Sequence, residues 1–318
     1  MNPTPPSSPP AGGSFHVEHA SQETLIDCPR CGGTSFVPWA TVRDHSITKE
    51  DFQVVDCATC GFRSTNPRPT QNAAGRYYQG DAYISHSNSN SSLQDKLYHL
   101  ARRWGLRRKY GIIHSLQPNG KVLDVGCGTG EFLAYLMSRG YLVQGVEPSL
   151  KAREQVIANH SIAVLPALDM VAAHEQFQVV TLWHVLEHLP DLRSTFKRLF
   201  SLLADRGSLI IAVPDRGSWD AEHYGTDWAA WDVPRHLSHF RQEDVHLLLR
   251  EHGFELIATR RMWMDAPYIC TLSESYRDAT KPWALLKGVL LGSWSNVLSA
   301  LSGRPTSSSL YIARKAEP

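Results

Sequence analysis

Residues 121–130 read Lys-Val-Leu-Asp-Val-Gly-Cys-Gly-Thr-Gly, an apolar run that passes directly into a glycine-rich turn before an amphipathic segment. Glycines there let the backbone approach a ligand closely, and a buried strand feeding such a turn belongs to an open α/β sheet. The following texture agrees. Strands are expected at Lys121–Val125, Tyr141–Val146, Ile162–Leu165, Gln178–Trp183 and Ser208–Val213. Helices at Glu131–Arg139, Leu150–Asn159 and about Leu192–Leu203 alternate with them, which implies a parallel, doubly wound sheet. A helix at Glu243–His252 and strands at Phe254–Arg260 and Ser309–Ala313 complete the expected elements.

The loop differs from a dinucleotide fingerprint: where G-x-G-x-x-G would place its last glycine, this chain has Glu131, which would repel a pyrophosphate. Glu147 ends the next strand, where an acid can accept both ribose hydroxyl hydrogen bonds. An adenosine without phosphate fits both features. The runs D-V-G-C-G-T-G, G-V-E-P-S and L-W-H-V-L-E-H-L-P-D resemble a class I S-adenosylmethionine-dependent methyltransferase over about residues 120–254. That resemblance implies an α/β, Rossmann-like fold with an antiparallel last strand. It implies that Gly126, Cys127, Gly128 and Gly130 cradle the methionine part of S-adenosylmethionine, with Asp124 ordering the loop or the ammonium. Glu147, followed by Pro148, would hold the ribose, Leu168 and Asp169 the adenine, and Trp183 and His184 the neighbourhood of the methyl group. Gln178 stands where the family usually has Asp, a position expected to be structural.

Cys28-x-x-Cys31-Gly32 and Cys57-x-x-Cys60-Gly61 each set two thiolates on one tight turn. Four thiolates with no open position suit structural Zn²⁺. Thr65-Asn66-Pro67-Arg68-Pro69, Tyr77-Tyr78 and Tyr83-Ile84-Ser85-His86 after this zinc ribbon resemble methyltransferases of bacterial polysaccharide and metabolite biosynthesis. With 32 Lys and Arg against 31 Asp and Glu, no overall field favours nucleic acid, and the ribbon lacks aromatic-basic interleaving. Bracing a substrate cleft is its expected role. No basic region followed by an apolar stretch opens the sequence, so a cytoplasmic location is expected. The expected organisation is a disordered tail (1–23), a zinc ribbon (24–75), connecting helices and a lid (76–118), a methyltransferase domain (119–270), and C-terminal helices with a final strand (271–318). Within the connecting region, Leu93–Leu116 is the expected helix, N-capped by Ser92 with Asp95 in its first turn.

Methyl transfer asks a protein to align donor and acceptor and to exclude water; a base is needed only if the acceptor keeps its proton. Trp228–Phe240, after the fifth strand, is the best acceptor-facing segment. His236 reads as a general base oriented by Asp232, Arg235 as a binder of an anionic group, and His184 as a further catalytic candidate. The plainer alternative has His236 and His239 holding the loop in place. No Pro-Pro-aromatic signature of amino-group methylation follows the fourth strand, which leaves oxygen or carbon of a small-molecule or carbohydrate-type acceptor. Three rivals remain: an RNA methyltransferase, suggested by Arg102-Arg103 and Arg107-Arg108-Lys109; a non-catalytic cofactor-binding scaffold; and an H-x-x-E-H metallopeptidase at His184–His188, where Glu187 and His188 otherwise read as capping and anchoring a turn. One zinc per chain is expected, none of it at His184 or His188. Trp283–Leu301, the most apolar stretch, reads as a non-spanning helix pair on the catalytic domain, or as a homodimer or peripheral membrane contact.

Overall fold

The computed structural model describes residues 21–78, 93–277 and 280–317, without the side chains of 93–102 and 281. Residues 1–20 of the expected tail, Tyr83–His86, the Ser92 cap and the side chains of Asp95 and Arg102 lie outside the described residues.

The first strands are β1 (Gln22–Glu23), β2 (Phe36–Arg43), β3 (Asp51–Cys57), β4 (Arg63–Thr65) and β5 (Arg68–Pro69). β1 pairs with β5, so Gln22 and Glu23, expected within the tail, belong to a strand pair. Helix α1 (Leu93–Leu116) leads to the sheet. It is more than a connector: Ile113 is buried among Val122, Phe132, Leu136 and Tyr141.

Then follow β6 (Lys121–Val125), α2 (Glu131–Met137), β7 (Leu142–Val146), α3 (Leu150–His160), β8 (Val164–Leu165), β9 (Phe177–Trp183), α4 (Leu192–Leu202) and β10 (Leu203–Pro214). Ser149 and Asp191 start their helices by accepting the Ala152 and Ser194 amides, satisfying N–H groups that the first turn leaves unpaired. In α4 the helical spacing of Leu192, Phe196, Leu199 and Leu202 turns one apolar stripe into the core. Each such side chain contributes about 1.5–3 kcal/mol by burial.

The chain finishes with α5 (Trp219–Tyr224), β11 (Ser238–His239), α6 (Gln242–Glu251), β12 (Phe254–Arg261), α7 (Asp265–Tyr276), α8 (Lys281–Ser302) and β13 (Ser308–Lys315). The main sheet has the order β12-β13-β10-β9-β6-β7-β8. Strands β6 to β10 run parallel, and β13 runs antiparallel to both β10 and β12. The doubly wound sheet with its antiparallel last strand is therefore as expected.

Two expectations change. Residues 283–301 form part of one helix, not a helix pair; α8 instead pairs with α7. The backbones approach closely there, since a Cβ on Gly288 or Gly292 would lie 2.3 Å from Thr271 Cα or 2.4 Å from Pro267 Cα. Among the described residues one helix, Pro282–Ser302, is long and apolar enough to cross a membrane by length and composition, yet it leads through Gly303 back into the sheet at β13. The second change concerns the boundary between ribbon and catalytic domain. A smaller sheet has the order β11-β4-β3-β2, and β11 belongs to the acceptor-facing segment, so a strand of the catalytic domain completes the sheet of the ribbon.

Candidate active site

Parallel pairing of β6 with β7 and β9 brings their carboxyl ends to one edge. At that edge the turn after β6 is held by main chain: Gly126 and Cys127 amides both donate to Val146 O, at 2.7 and 3.1 Å. Gly126 has φ +74°, and a Cβ there would meet Val185 Cγ2 at 2.3 Å, so the turn accepts only glycine. A Cβ on Gly128, by contrast, would enter open space. That is the room a ligand needs above the loop. Glu147 closes the other side. One carboxylate oxygen accepts the Gly128 amide at 3.0 Å and the other the Ser149 amide at 2.9 Å, which fixes the group while leaving each oxygen a second lone pair.

Asp124, expected to order the loop or the ammonium, is buried within the sheet. Its carboxylate accepts Thr181 Oγ1 at 2.6 Å, and burial pushes its pKa up to about 6. Cys127 packs with Leu133, Val156 and Ile162, and burial raises its thiol pKa, which suits a filler and not a nucleophile. Gln178 Oε1 accepts the Lys121 amide at 2.7 Å, a structural bond between two strand starts. Leu168 is half-buried in a short turn, Asp169 is exposed beside it, and Pro148 is exposed after Glu147. Trp183 ends β9 with its Nε1 buried and unpartnered.

His184 follows in the left-handed region, φ 56°. Its Nε2 lies 3.2 Å from Asp265 Oδ2 and its Nδ1 3.5 Å from Glu187 Oε1. Burial works against the charge, but Asp265 and then Glu187 raise the His184 pKa to about 10. A ring held protonated cannot serve as a base. Nor does H-x-x-E-H form one helix face: His184 follows the end of a strand, and His188 lies in the turn Leu186–His188.

The acceptor-facing segment docks on that turn. The Leu237 amide donates to Glu187 O at 2.8 Å, and His188 Nδ1 to Arg235 O at 2.9 Å. His188 thus anchors the loop as expected, whereas the Glu187 carboxylate caps nothing: it is buried and neither oxygen has a hydrogen-bond partner. Burial and then the nearby His236 push the His188 pKa down to about 4.

Two expected roles in this segment are corrected. Asp232 does not orient His236, because Oδ2 stands 3.8 Å from His236 Nε2; the Ala230 carbonyl does, accepting from Nδ1 at 2.9 Å. Arg235 is no anion binder. Its guanidinium holds Asp232 through two bonds of 3.0 and 2.6 Å, Asp44 at 3.0 Å and Tyr77 O at 3.0 Å, all behind a 5% exposed surface. Against burial, the Arg235 hydrogen bond and the Thr48 amide hold Asp44 down to about 2. His239 reaches Thr65 Oγ1 at 3.0 Å, a loop-holding contact.

In the ribbon, Cys28 and Cys60 sulfurs lie 3.7 Å apart, as do those of Cys31 and Cys57, with all four within 4.8 Å of one another. Four sulfurs about 2.3 Å from one ion in a tetrahedron stand about 3.8 Å apart. The donor set therefore fits Zn²⁺. Gly32 and Gly61, both at positive φ, donate back to the first Cys carbonyl of their own knuckle.

Lys109 and Asp265 stand at this edge although the sequence assigned neither to it. Lys109 Nζ lies 4.6 Å from the Trp183 ring centre, and burial lowers its pKa. A basic run was visible there, but its register toward the strand end was not.

A methyltransferase-domain family matches residues 97–259, over half of the chain. The chain belongs to this family and is a class I S-adenosylmethionine-dependent methyltransferase. Among curated relatives, the ubiquinone biosynthesis O-methyltransferase of Pectobacterium carotovorum is 28% identical over 160 residues, 42% of this chain and 66% of the relative. That of Histophilus somni is 32% identical over 160 residues, 42% and 67% respectively. The match thus spans no more than about two thirds of these relatives. A solved SAM-dependent methyltransferase from Archaeoglobus fulgidus superimposes with a TM-score of 0.47 at 16% identity, covering 67% of this chain and 94% of that one.

Proposed function

We propose that the enzyme methylates a hydroxyl oxygen of a small, phenol- or carbohydrate-type acceptor. When bound, S-adenosylmethionine supplies a methyl group on an activated sulfonium. The open face of Gly128, the fixed Glu147 carboxylate and the orphaned Trp183 Nε1 are a donor and acceptor set that fits it. In this reading the loop 126–130 takes the methionine part, with Glu147 on the ribose, Pro148 and the Leu168–Asp169 turn beside the adenosine, and Trp183 next to the methyl group.

The acceptor half is carried by one observation. His236 Nδ1 is committed to the Ala230 carbonyl, which can only accept, so Nε2, 4.0 and 3.8 Å from Glu187 and Asp232, is the ring atom able to take up a proton. His236 is then the group that takes a proton from the acceptor hydroxyl. The curated relatives act, by their names, as O-methyltransferases of ubiquinone biosynthesis, which supports oxygen as the acceptor atom. Structural zinc held by Cys28, Cys31, Cys57 and Cys60 braces the segment through β11.

Transfer of tritiated methyl from S-adenosylmethionine to catechols, to free and nucleotide-linked sugars and to total RNA tests this reading. Label should enter a phenol or a sugar and fall at least 100-fold in His236→Gln. Label in RNA alone, or in nothing while cofactor binds, would overturn it.

A further inference from the structure

His188 and His236 come from different segments, yet they are held alike. Each Nδ1 faces a backbone carbonyl at 2.9 Å, Arg235 O for one and Ala230 O for the other. A carbonyl only accepts, so each Nδ1 carries a proton, which leaves Nε2 as the atom of each ring able to reach a metal. This arrangement fixes an imidazole for metal ligation.

Between the rings sits Glu187, 1% exposed, with neither carboxylate oxygen hydrogen-bonded. Both nearby imidazoles face the same oxygen, His184 Nδ1 at 3.5 Å and His236 Nε2 at 4.0 Å from Oε1, so Oε2 is left without a donor. A buried carboxylate oxygen left without a donor favours a further positive charge beside it. One donor atom from each of Glu187, His188 and His236 falls within 4.8 Å of the others. A cation about 2.0–2.2 Å from each donor spans pairs up to about 4.3 Å apart. Closure by a few tenths of an ångström completes the set.

We propose that Glu187, His188 and His236 bind one divalent cation of the Zn²⁺ or Mn²⁺ type, through two imidazoles and one carboxylate, with coordination positions left open. Two imidazoles with a carboxylate suit such borderline ions. His184 is excluded from the set because its Nε2 is taken by Asp265. Binding of the ion stands on this cluster alone. Its use, lowering the proton affinity of the acceptor hydroxyl, rests on the O-methylation reading, and His236 then acts as a ligand in place of a base. Asp232, 3.8 Å from His236 Nε2, becomes the nearest proton acceptor.

Mn²⁺ titration of the full-length, zinc-loaded chain, followed by electron paramagnetic resonance of the free ion, separates this site from the four thiolates, which do not favour Mn²⁺. One equivalent should bind, with affinity at least tenfold weaker in Glu187→Gln and in His188→Gln and unchanged in His246→Gln, on α6, where His246 Nε2 meets Thr259 Oγ1 away from the cluster. Excess Zn²⁺ should displace it and raise the zinc count from one to two per chain. S-adenosylhomocysteine binding by each variant confirms that it is folded. No saturable Mn²⁺ binding together with a zinc count that stays at one overturns the proposal, as does binding that survives Glu187→Gln/His188→Gln. Methyl transfer that is lost in His236→Gln but indifferent to chelator in a chain keeping its single zinc would also overturn the cation while leaving O-methylation in place. A bound cation in a chain that methylates no acceptor would do the reverse.

Discussion

The two ends of the site are built by different means. At the proposed cofactor end, main chain within about twenty residues does the positioning: Val146 O holds the turn, and two amides hold Glu147. At the acceptor end, side chains reach across the whole chain, as Arg235 does to Asp44, 191 positions away. Local hydrogen bonds form wherever the strand and turn form. The distant clamp depends on ribbon and catalytic domain being in place together. Damage to the ribbon should therefore separate the two ends.

Cys57→Ser is the largest test of that difference. It should lose the zinc and at least 100-fold in methyl transfer, because β4 no longer holds β11, while S-adenosylhomocysteine affinity changes less than fivefold. Metal analysis beside calorimetry checks it, and equal loss of both functions would break the contrast. Arg235→Ala should come next. It leaves Asp44 and Asp232 without their cation, and removing one partner of such a buried pair costs about 3–5 kcal/mol, readable by urea unfolding. Gly126→Ala strikes the local end, where the added methyl meets Val185. Overpacking costs about 1–3 kcal/mol, and here cofactor affinity should fall tenfold or more.

The last test is a pH dependence. The His184 pKa is raised in the folded chain from 6.5 to about 10, with Asp265 and Glu187 outweighing burial. Its contribution to stability is thus complete below about pH 6.5 and fades as pH climbs toward 10. Asp265→Asn should flatten the decline in unfolding free energy between those limits; an unchanged slope would remove the ion pair from the account.

The same contrast explains what was legible in the sequence. Gly126–Gly130, Glu147 and the two cysteine knuckles carry their meaning in short spacings, so fold and candidate cofactor end could be read from residue order. The segment 228–240 could be located but not interpreted. Arg235 looked like an anion binder because Asp44 lies far away in sequence, and Asp232 looked like the partner of His236 because nothing marked the Ala230 carbonyl. The stretch 283–301 was expected as a helix pair, but it lies in the single helix α8, whose polar positions find partners that residue order does not show. Ser295 donates to buried Asp220, and Asn296 to Trp263 O.

Calorimetry with S-adenosylhomocysteine tests the central claim most directly, that the loop 126–130 and Glu147 hold the cofactor. The wild-type chain should bind one equivalent. Gly128→Arg, which fills the open face of the loop, should abolish binding, and Glu147→Ala should weaken it at least tenfold. Wild-type affinity retained in Gly128→Arg would contradict the account.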